Sequence, residues 1–373
     1  MNPLDAVVLI PSLHPDHLLV EYAEDLLSHG FKQILIVDDG SGDEFASLFE
    51  ELNHHANCQV IGYPINQGKG HALKYGMRFI LENYPDAAGI VTADSDGQHT
   101  ADDVLKVAES LVIHPKGLII GSRDFKTDNV PWTSLAGNRL TSFFFAILYG
   151  KWLPDTQTGL RGFSLDLIPL MLEVPGDRFE YEMNMLILAS NRLVDFYTVK
   201  IQTIYIEENR RTHYRLFKDS ALIYGQLFKN FFKYASSSGV ATFIDILLFT
   251  ILDKWVLPLT GLNPNIKILW GMSLSILIAN TMARAISSAV NFKANKAFVF
   301  QVDKCKGAFP RYVILASLVL MVSTTLISVL NSLFTVDKTI LKILVDTVLF
   351  FVNYRLQRSW VFAEKKTKRN ELS

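Results

Sequence analysis

Gly89-Ile90-Val91-Thr92-Ala93-Asp94-Ser95-Asp96-Gly97-Gln98-His99 passes in one step from an apolar run to two carboxylates, an amide and an imidazole. A short β-branched run reads as a buried strand, and the glycine and acidic residues after it read as a turn. The same grammar recurs upstream. Ala6–Ile10 is followed by Pro11-Ser12, and Ile34–Val37 by Asp38-Asp39-Gly40-Ser41. Further strand-like runs are Gln59–Ile61, Leu118–Ile120 and Val199–Ile206. Helix-like stretches lie between them at Asp16–His29, Glu44–Leu52, His71–Asn83 and Ala101–Ile113. Such alternation predicts an α/β domain with a parallel sheet and helices on both faces. Ligands of such sheets sit outside the carboxyl ends of the strands, where both acidic clusters fall.

Like charges gathered at one sheet edge repel, so a compensating partner is expected. A hard divalent cation suits the oxygens of Asp94, Asp96 and Gln98, because Mg²⁺ commonly joins one or two carboxylates to substrate phosphates. The ligands suit Mn²⁺ equally. Asp38 and Asp39 are placed to accept hydrogen bonds from a base or ribose. Asn66-Gln67-Gly68-Lys69-Gly70 lets backbone approach a ligand and offers Lys69 to a phosphate. It also suits a plain strand-to-helix turn, and it is no Walker loop, since Gly70 stands where Ser or Thr is required.

The chain has 373 residues, a formal net charge of −1 and 49% hydrophobic residues. Mean hydropathy is +0.21. The near-neutral charge gives no field for nucleic acid, and none is expected as a partner. The hydropathy is uneven: residues 1–220 read as a soluble domain, and long apolar blocks begin near Lys233. Cys58 and Cys305 are too few for a disulfide framework and read as reduced thiols. No secretory leader is visible at the first residues, which places the first domain in the cytoplasm.

The order Ile10-Pro11-Ser12, Val37-Asp38-Asp39-Gly40-Ser41, Asn66-x-Gly68-Lys69-Gly70, Asp94-x-Asp96 and Gly121-Ser122-Arg123 resembles glycosyltransferase family 2, over about 1–220. Within it, the chain is similar to the polyprenyl (dolichyl or undecaprenyl) phosphate sugar synthases. Asp155-Thr156-Gln157-Thr158-Gly159-Leu160-Arg161 resembles that family's Asp-x-x-Ser-Gly-Phe-Arg segment, with Thr158 for Ser and Leu160 for Phe. The resemblance implies a GT-A-type, Rossmann-like fold and an inverting sugar transfer. It implies that Pro11, Asp38 and Asp39 line the nucleoside site, and that Asp94, Asp96 and Gln98 hold the metal and diphosphate. Arg123 and Arg139 match positions for an acceptor phosphate, and Asp155 stands where a catalytic carboxylate is often placed. Phe179-Glu180-Tyr181-Glu182 would approach the sugar, or serve as an acidic helix start. A phosphate acceptor barely needs a base, so Asp155 reads equally as a group that positions Arg161 or the acceptor. Arg211 and Arg215, in Arg210-Arg211-Thr212-His213-Tyr214-Arg215, suit a diphosphate or an anionic lipid. His99 adjoins the metal ligands without an assigned role.

The second half predicts an all-α transmembrane domain of about four helices. Residues 219–234 have the pattern of an amphipathic interfacial helix, with Phe228, Phe231 and Phe232 opposite Lys229 and Lys233. Candidate spans lie near 235–253, 268–290, 310–332 and 337–354. Asn291-Phe292-Lys293-Ala294-Asn295-Lys296-Ala297-Phe298-Val299-Phe300 repeats as Asn353-Tyr354-Arg355-Leu356-Gln357-Arg358-Ser359-Trp360-Val361-Phe362. Each follows the second span of a pair, so two helical hairpins end in one basic-aromatic device. The basic excess puts these ends on the cytoplasmic side, facing the same compartment as the first domain. The region resembles the GtrA-like four-helix membrane proteins over about 229–364. Asp245 and Asp346 lie within spans, and Arg284 is expected to snorkel from one.

The expected layout is a transferase domain at 1–218, an interfacial segment at 219–234, a membrane domain at 235–364 and a basic tail at 365–373. The expected partners are a UDP- or GDP-linked sugar, with a lean to UDP, polyprenyl phosphate and the bilayer; a repeat-built membrane domain also admits a homo-oligomer. The expected activity is hexosyl transfer at the cytoplasmic membrane face for cell-envelope glycans. A lipid-linked sugar carrier with an inactive first domain is the rival. A polysaccharide synthase is weaker, for want of a Gln-x-x-Arg-Trp segment.

Overall fold

The computed structural model describes residues 1–123, 132–202, 216–260, 274–300, 307–333 and 338–362. It divides into two compact units, Met1–Leu227 and Phe228–Ser373.

The first unit is built on a seven-stranded sheet. Its strands are β1 (Val7–Ser12), β2 (Gln33–Asp38), β3 (Cys58–Gly62), β4 (Ile90–Thr92), β5 (Gly117–Arg123), β6 (Arg161–Phe163) and β7 (Asp195–Ile201), in the order β3-β2-β1-β4-β6-β5-β7. β1 is buried along its whole length, as a central strand covered on both faces must be. Helices α1 (Leu18–Ser28), α2 (Ala46–Asn53), α3 (Lys69–Asn83) and α4 (Ala101–Ile113) cross between the strands. α4 starts on the Thr100 hydroxyl, which accepts the Asp103 amide at 3.2 Å, and carries Asp102 and Asp103 in its first turn.

Two register facts assemble the site edge. β1 and β2 are parallel with Ser12 opposite Asp38, so Pro11-Ser12 and Asp38-Asp39 end side by side. β1 and β4 are parallel with Leu9 opposite Thr92, which brings Asp94 to the same edge. The sheet departs from the all-parallel expectation at β6, which runs antiparallel to both β4 and β5. Arg161 is opposite Thr92 on one side and Ile120 on the other. Because β6 runs the other way, the residues just before it arrive where the parallel strands end. That places 155–160 beside Asp94 and Arg123. A three-residue strand holding an arginine and a glycine gives almost no periodic signal, so it was not anticipated.

After β5 come α5 (Trp132–Tyr149), α6 (Ile168–Leu172) and α7 (Glu180–Asn191). The apolar run in α5 is largely core: Phe145 and Leu148 are buried, while Phe143 is exposed.

The helix α8 (Leu216–Ile251) carries the division between the units. It carries the expected interfacial segment and first span on one element, since no proline interrupts 219–251 and the helix continues through Gly225 and Gly239. The second unit continues with one turn of helix, α9 (Leu257–Leu259), then α10 (Leu274–Ala294), α11 (Ala308–Leu333) and α12 (Lys338–Leu356). Among the described residues, no helix is long and apolar enough to cross a membrane.

The sequence repeat is a structural repeat. α10 and α12 each end in a π-helical turn, Asn295–Val299 and Gln357–Val361. The buried amides of Asn295 and Gln357 bond to one another, Nδ2 to Oε1, at 3.0 Å. Asn291 donates to the Tyr312 hydroxyl at 3.0 Å, and Asn353 donates to the Tyr234 hydroxyl at 2.8 Å. Each repeat thus reaches a tyrosine on the first helix of the other. Phe300 and Phe362 stack with ring centroids 4.9 Å apart. Arg284 does not snorkel alone: its Nη2 stands 3.1 Å from Asp245 Oδ2, and Ser287 donates to the same carboxylate at 2.9 Å. A nearby carboxylate is a better partner for a mid-helix cation than a distant interface.

Candidate active site

Asp94 lies two residues beyond β4 and is held from three sides. Lys69, at the start of α3, donates to its Oδ1 at 2.6 Å. His99 Nε2 stands 3.4 Å from Oδ2. Gly159 backs against it so closely that a Cβ there would lie 2.5 Å from both oxygens. Burial opposes the charge of Asp94, but the Lys69 ammonium and His99 together outweigh it, and the carboxyl sits well below the usual range. Asp96 goes the other way. Burial first, then the charge of Asp94, raises its carboxyl, even though the Gln98 amide donates to it at 3.1 Å.

Arg123 ends β5 and grips Asp155. Its Nε donates to Oδ2 at 2.6 Å and its Nη2 to Oδ1 at 3.1 Å. The Arg123 and Gln157 backbone amides donate to the same carboxylate at 3.3 and 3.0 Å. Asp155 is fully buried. All its acceptor capacity is thus spent inside the protein. Its partner is Arg123, not Arg161. Arg161, also buried, donates to the carbonyls of Thr158 at 3.1 Å and Glu182 at 2.6 Å. Asn138 on α5 fixes the same loop, donating to the Pro154 carbonyl at 2.8 Å and accepting the Thr156 amide at 3.1 Å.

The nucleoside candidates divide. Asp38 accepts the Ser41 amide at 2.8 Å. Asp39 is buried and engaged: Tyr63 donates to it at 2.7 Å, the Gln67 amide at 2.9 Å and the Gly68 amide at 2.9 Å. It shapes the loop that leads into α3. Gly68, with φ of 106°, has no room for a Cβ against the Asp177 carbonyl. Pro11 is buried beside Val37. Arg139 is exposed on α5. Arg211 and Arg215 lie outside the described residues.

One pocket joins the two halves of this edge. Asp94, Gln98, His99, Arg123, Gln157, Thr158 and Gly159 all line it. Glu182, the third residue of α7, adds a carboxylate, with its Oε1 2.8 Å from Lys69 Nζ. His99 is buried, with Nε2 turned to Asp94 at the long distance of 3.4 Å and Nδ1 without a hydrogen-bond partner.

A divalent cation fits this donor set in the Mg²⁺ manner, with few protein ligands and the remainder from phosphate and water. Two carboxylates with one residue between them, one raised by burial and then by the charge of the other, are what added positive charge would relieve. No group of three or more His, Cys, Asp or Glu residues is arranged around a metal position among the described residues.

Residues 8–168 match the model of Glycosyl transferase family 2, and residues 233–362 match that of the GtrA/DPMS transmembrane domain. The UDP-N-acetylglucosamine–dolichyl-phosphate N-acetylglucosaminyltransferase of Methanococcus voltae is 31% identical over 219 residues, which are 54% of this chain and 86% of that one. Glycosyltransferase AglJ of Haloferax volcanii is 24% identical over 265 residues, covering 68% of this chain and 83% of that one. The solved structure of S. aureus TarS 1-349 with UDP-GlcNAc aligns at 12% identity and a TM-score of 0.38, over 96% of this chain and 91% of that one.

Proposed function

The chain belongs to glycosyltransferase family 2, with a GtrA/DPMS transmembrane domain following the α/β domain in sequence, and we propose that it has a GT-A-type fold and moves a hexose from a UDP-sugar to polyprenyl phosphate at the cytoplasmic membrane face. The observation that carries this reading is the pocket that Asp94 and Gln98 line together with Arg123 and the 157–159 loop. The carboxylate and amide suit a diphosphate with its metal, and the guanidinium suits a second anion. The names of the relatives make UDP-N-acetylglucosamine and a dolichyl-type phosphate the first pair to test.

In this reading, Pro11, Asp38 and the loop shaped by Asp39 receive the nucleoside. Asp94, Asp96 and Gln98 hold Mg²⁺ or Mn²⁺, which when bound supplies positive charge to the leaving diphosphate. Lys69 brings a second cation to that diphosphate. Arg123 and Arg139 hold the acceptor phosphate, and Arg211 and Arg215 add charge for diphosphate or lipid. An acceptor oxygen attacks the anomeric carbon from the face opposite the nucleotide. The bond to the diphosphate breaks, and UDP leaves with the electron pair. A phosphate monoester is already largely dianionic near pH 7, its second pKa being about 6. No proton has to be removed, which agrees with an Asp155 whose oxygens are all occupied. Asp155 instead fixes the Arg123 guanidinium, so that little reorganisation is needed as charge moves.

The domain limits follow as proposed at 1–218, 219–234, 235–364 and 365–373. Lys293, Lys296, Arg355 and Arg358 at the ends of the two repeats support the cytoplasmic orientation.

The test is label transfer from a panel of radioactive UDP- and GDP-sugars into the organic phase, using membranes that hold the full chain, polyprenyl phosphate and Mg²⁺ or Mn²⁺. Label from one donor, lost in Asp96→Ala, establishes the reading. No lipid-phase label from any donor, with acceptor shown to be accessible, overturns it.

A further inference from the structure

Lys69 is shared by two carboxylates from different elements. Its Nζ lies 2.6 Å from Asp94 Oδ1, beyond β4, and 2.8 Å from Glu182 Oε1, on α7. The side chains of Lys69 and Glu182 are 19% and 13% exposed, so neither is a surface ion pair screened by water. Nothing in the transfer chemistry above requires Glu182.

Both anchors are held firmly. Arg161 donates to the Glu182 carbonyl at 2.6 Å and fixes that turn of α7. A Cβ on Gly70 would lie 2.5 Å from Tyr181 Cβ, so the first turn of α3 packs directly on α7. On the far side the Gly159 backbone lies against the Asp94 carboxylate, so close that a Cβ there would stand 2.5 Å from its oxygens. The freedom left in this cluster is that of the long lysine side chain, which can lean to one carboxylate or the other.

A divalent cation at Asp94 and Asp96 would stand beside the ammonium now bonded to Asp94, and the two positive charges repel. A lysine with one partner would be expelled towards water. A lysine with two need not leave.

We propose that Glu182 is a positioning residue that receives Lys69 when a divalent cation takes Asp94, and so keeps the lysine charge in the site for the donor diphosphate. The inference rests on the metal-dependent reading above and goes beyond it. Lys69 is a competitor of the cation before donor binds and its ally afterwards, when diphosphate oxygens lie between them. Metal and nucleotide therefore bind cooperatively, and Glu182 acts through Lys69.

The test is Mn²⁺ binding to the full chain in detergent, followed by electron paramagnetic resonance with and without UDP, with Asp94→Asn defining binding at other sites. Lys69→Met is expected to tighten Mn²⁺ alone by about tenfold, as removal of a nearby like charge should, and to reduce the gain from UDP. Glu182→Gln, which returns Lys69 to Asp94, is expected to weaken Mn²⁺ alone by about threefold. Added to Lys69→Met, it should change affinity less than about twofold, because its route is gone. Equal weakening by Glu182→Gln in both backgrounds overturns the proposal, since Glu182 would then act by its own charge or as a ligand. Unchanged Mn²⁺ affinity in Lys69→Met, with transfer still metal-dependent, overturns it alone. Absence of Asp94-dependent Mn²⁺ binding in both proteins, with metal-independent transfer, overturns it together with the metal in the proposed reaction.

Discussion

Arg123 donates to Asp155 through Nε and Nη2 at 2.6 and 3.1 Å, a two-point grip on a carboxylate with no exposed surface. A two-point pair fixes the guanidinium plane as well as its position. If this fixing is the role of Asp155, then Asp155→Asn removes orientation and leaves the proton balance of the reaction alone. The expected result is a fall in kcat of about 10–100-fold with the acid limb of the pH profile unchanged in shape. Asp155→Asn combined with Arg123→Gln should lose no more than the worse single variant, because both break one unit. A base would show the opposite: loss of the acid limb, and losses that multiply. The variant should also melt earlier, since breaking a buried pair costs about 3 kcal/mol.

Gly159→Ala should separate site from fold. The added Cβ would lie 2.5 Å from both Asp94 oxygens, which Lys69 holds in place. The expected loss in kcat/KM is about 100-fold or more, with a stability cost of about 1–3 kcal/mol typical of overpacking. Steady-state kinetics beside thermal melting check both.

Asp96→Asn should abolish transfer yet stabilise the metal-free protein. Burial and then the charge of Asp94 raise the Asp96 carboxyl. A carboxyl raised in the folded state loses stability as pH rises through its folded pKa. The gain from Asn should therefore be present at pH 8 and shrink towards pH 4. Melting in chelator is expected to rise by about 1–3 °C at pH 8. A fall there would mean that Asp96 is already compensated within the protein.

The two repeats make unequal use of their tyrosines. Tyr234 accepts from Asn353 at 2.8 Å and from Gln357 at 3.3 Å, whereas Tyr312 accepts from Asn291. Tyr234→Phe leaves two side-chain donors without their acceptor and should cost about 1–3 kcal/mol, more than Tyr312→Phe. Melting of the two variants in detergent, compared side by side, decides it; equal losses would refute the cross-tie.

Cys58 is buried on β3, and burial pushes its thiol up to about 12. In a Cys305→Ser background, maleimide at pH 7.5 should leave folded protein unlabelled for hours and label it within minutes in denaturant. Rapid labelling of the folded chain would contradict the burial of β3.

Much of the fold was legible because its signals are local. β-branched runs ending in Pro11-Ser12, Asp38-Asp39 and Asp94-Ser95-Asp96 mark three strands and the edge on which they end. The repeat at Asn291 and Asn353 announced two equivalent hairpins. β6 was hidden, because three residues cannot show a period of two. The segments read as 219–234 and 235–253 lie on one continuous helix, because a change in composition is not a helix terminator.

By itself the sequence determined which chemical groups are present, their order, and the sheet edge on which the first three clusters end. Propensity, turn chemistry and strand alternation settle these within a few residues of chain. Only the tertiary structure decided the partnerships: Asp155 with Arg123 rather than Arg161, Asp39 turned inward to Tyr63 and Gly68, and Lys69 divided between Asp94 and Glu182. Ion pairs form between groups brought together by strand order, and an antiparallel β6 reverses which end of a loop meets which strand. Charge carries no direction along a chain; the fold supplies it.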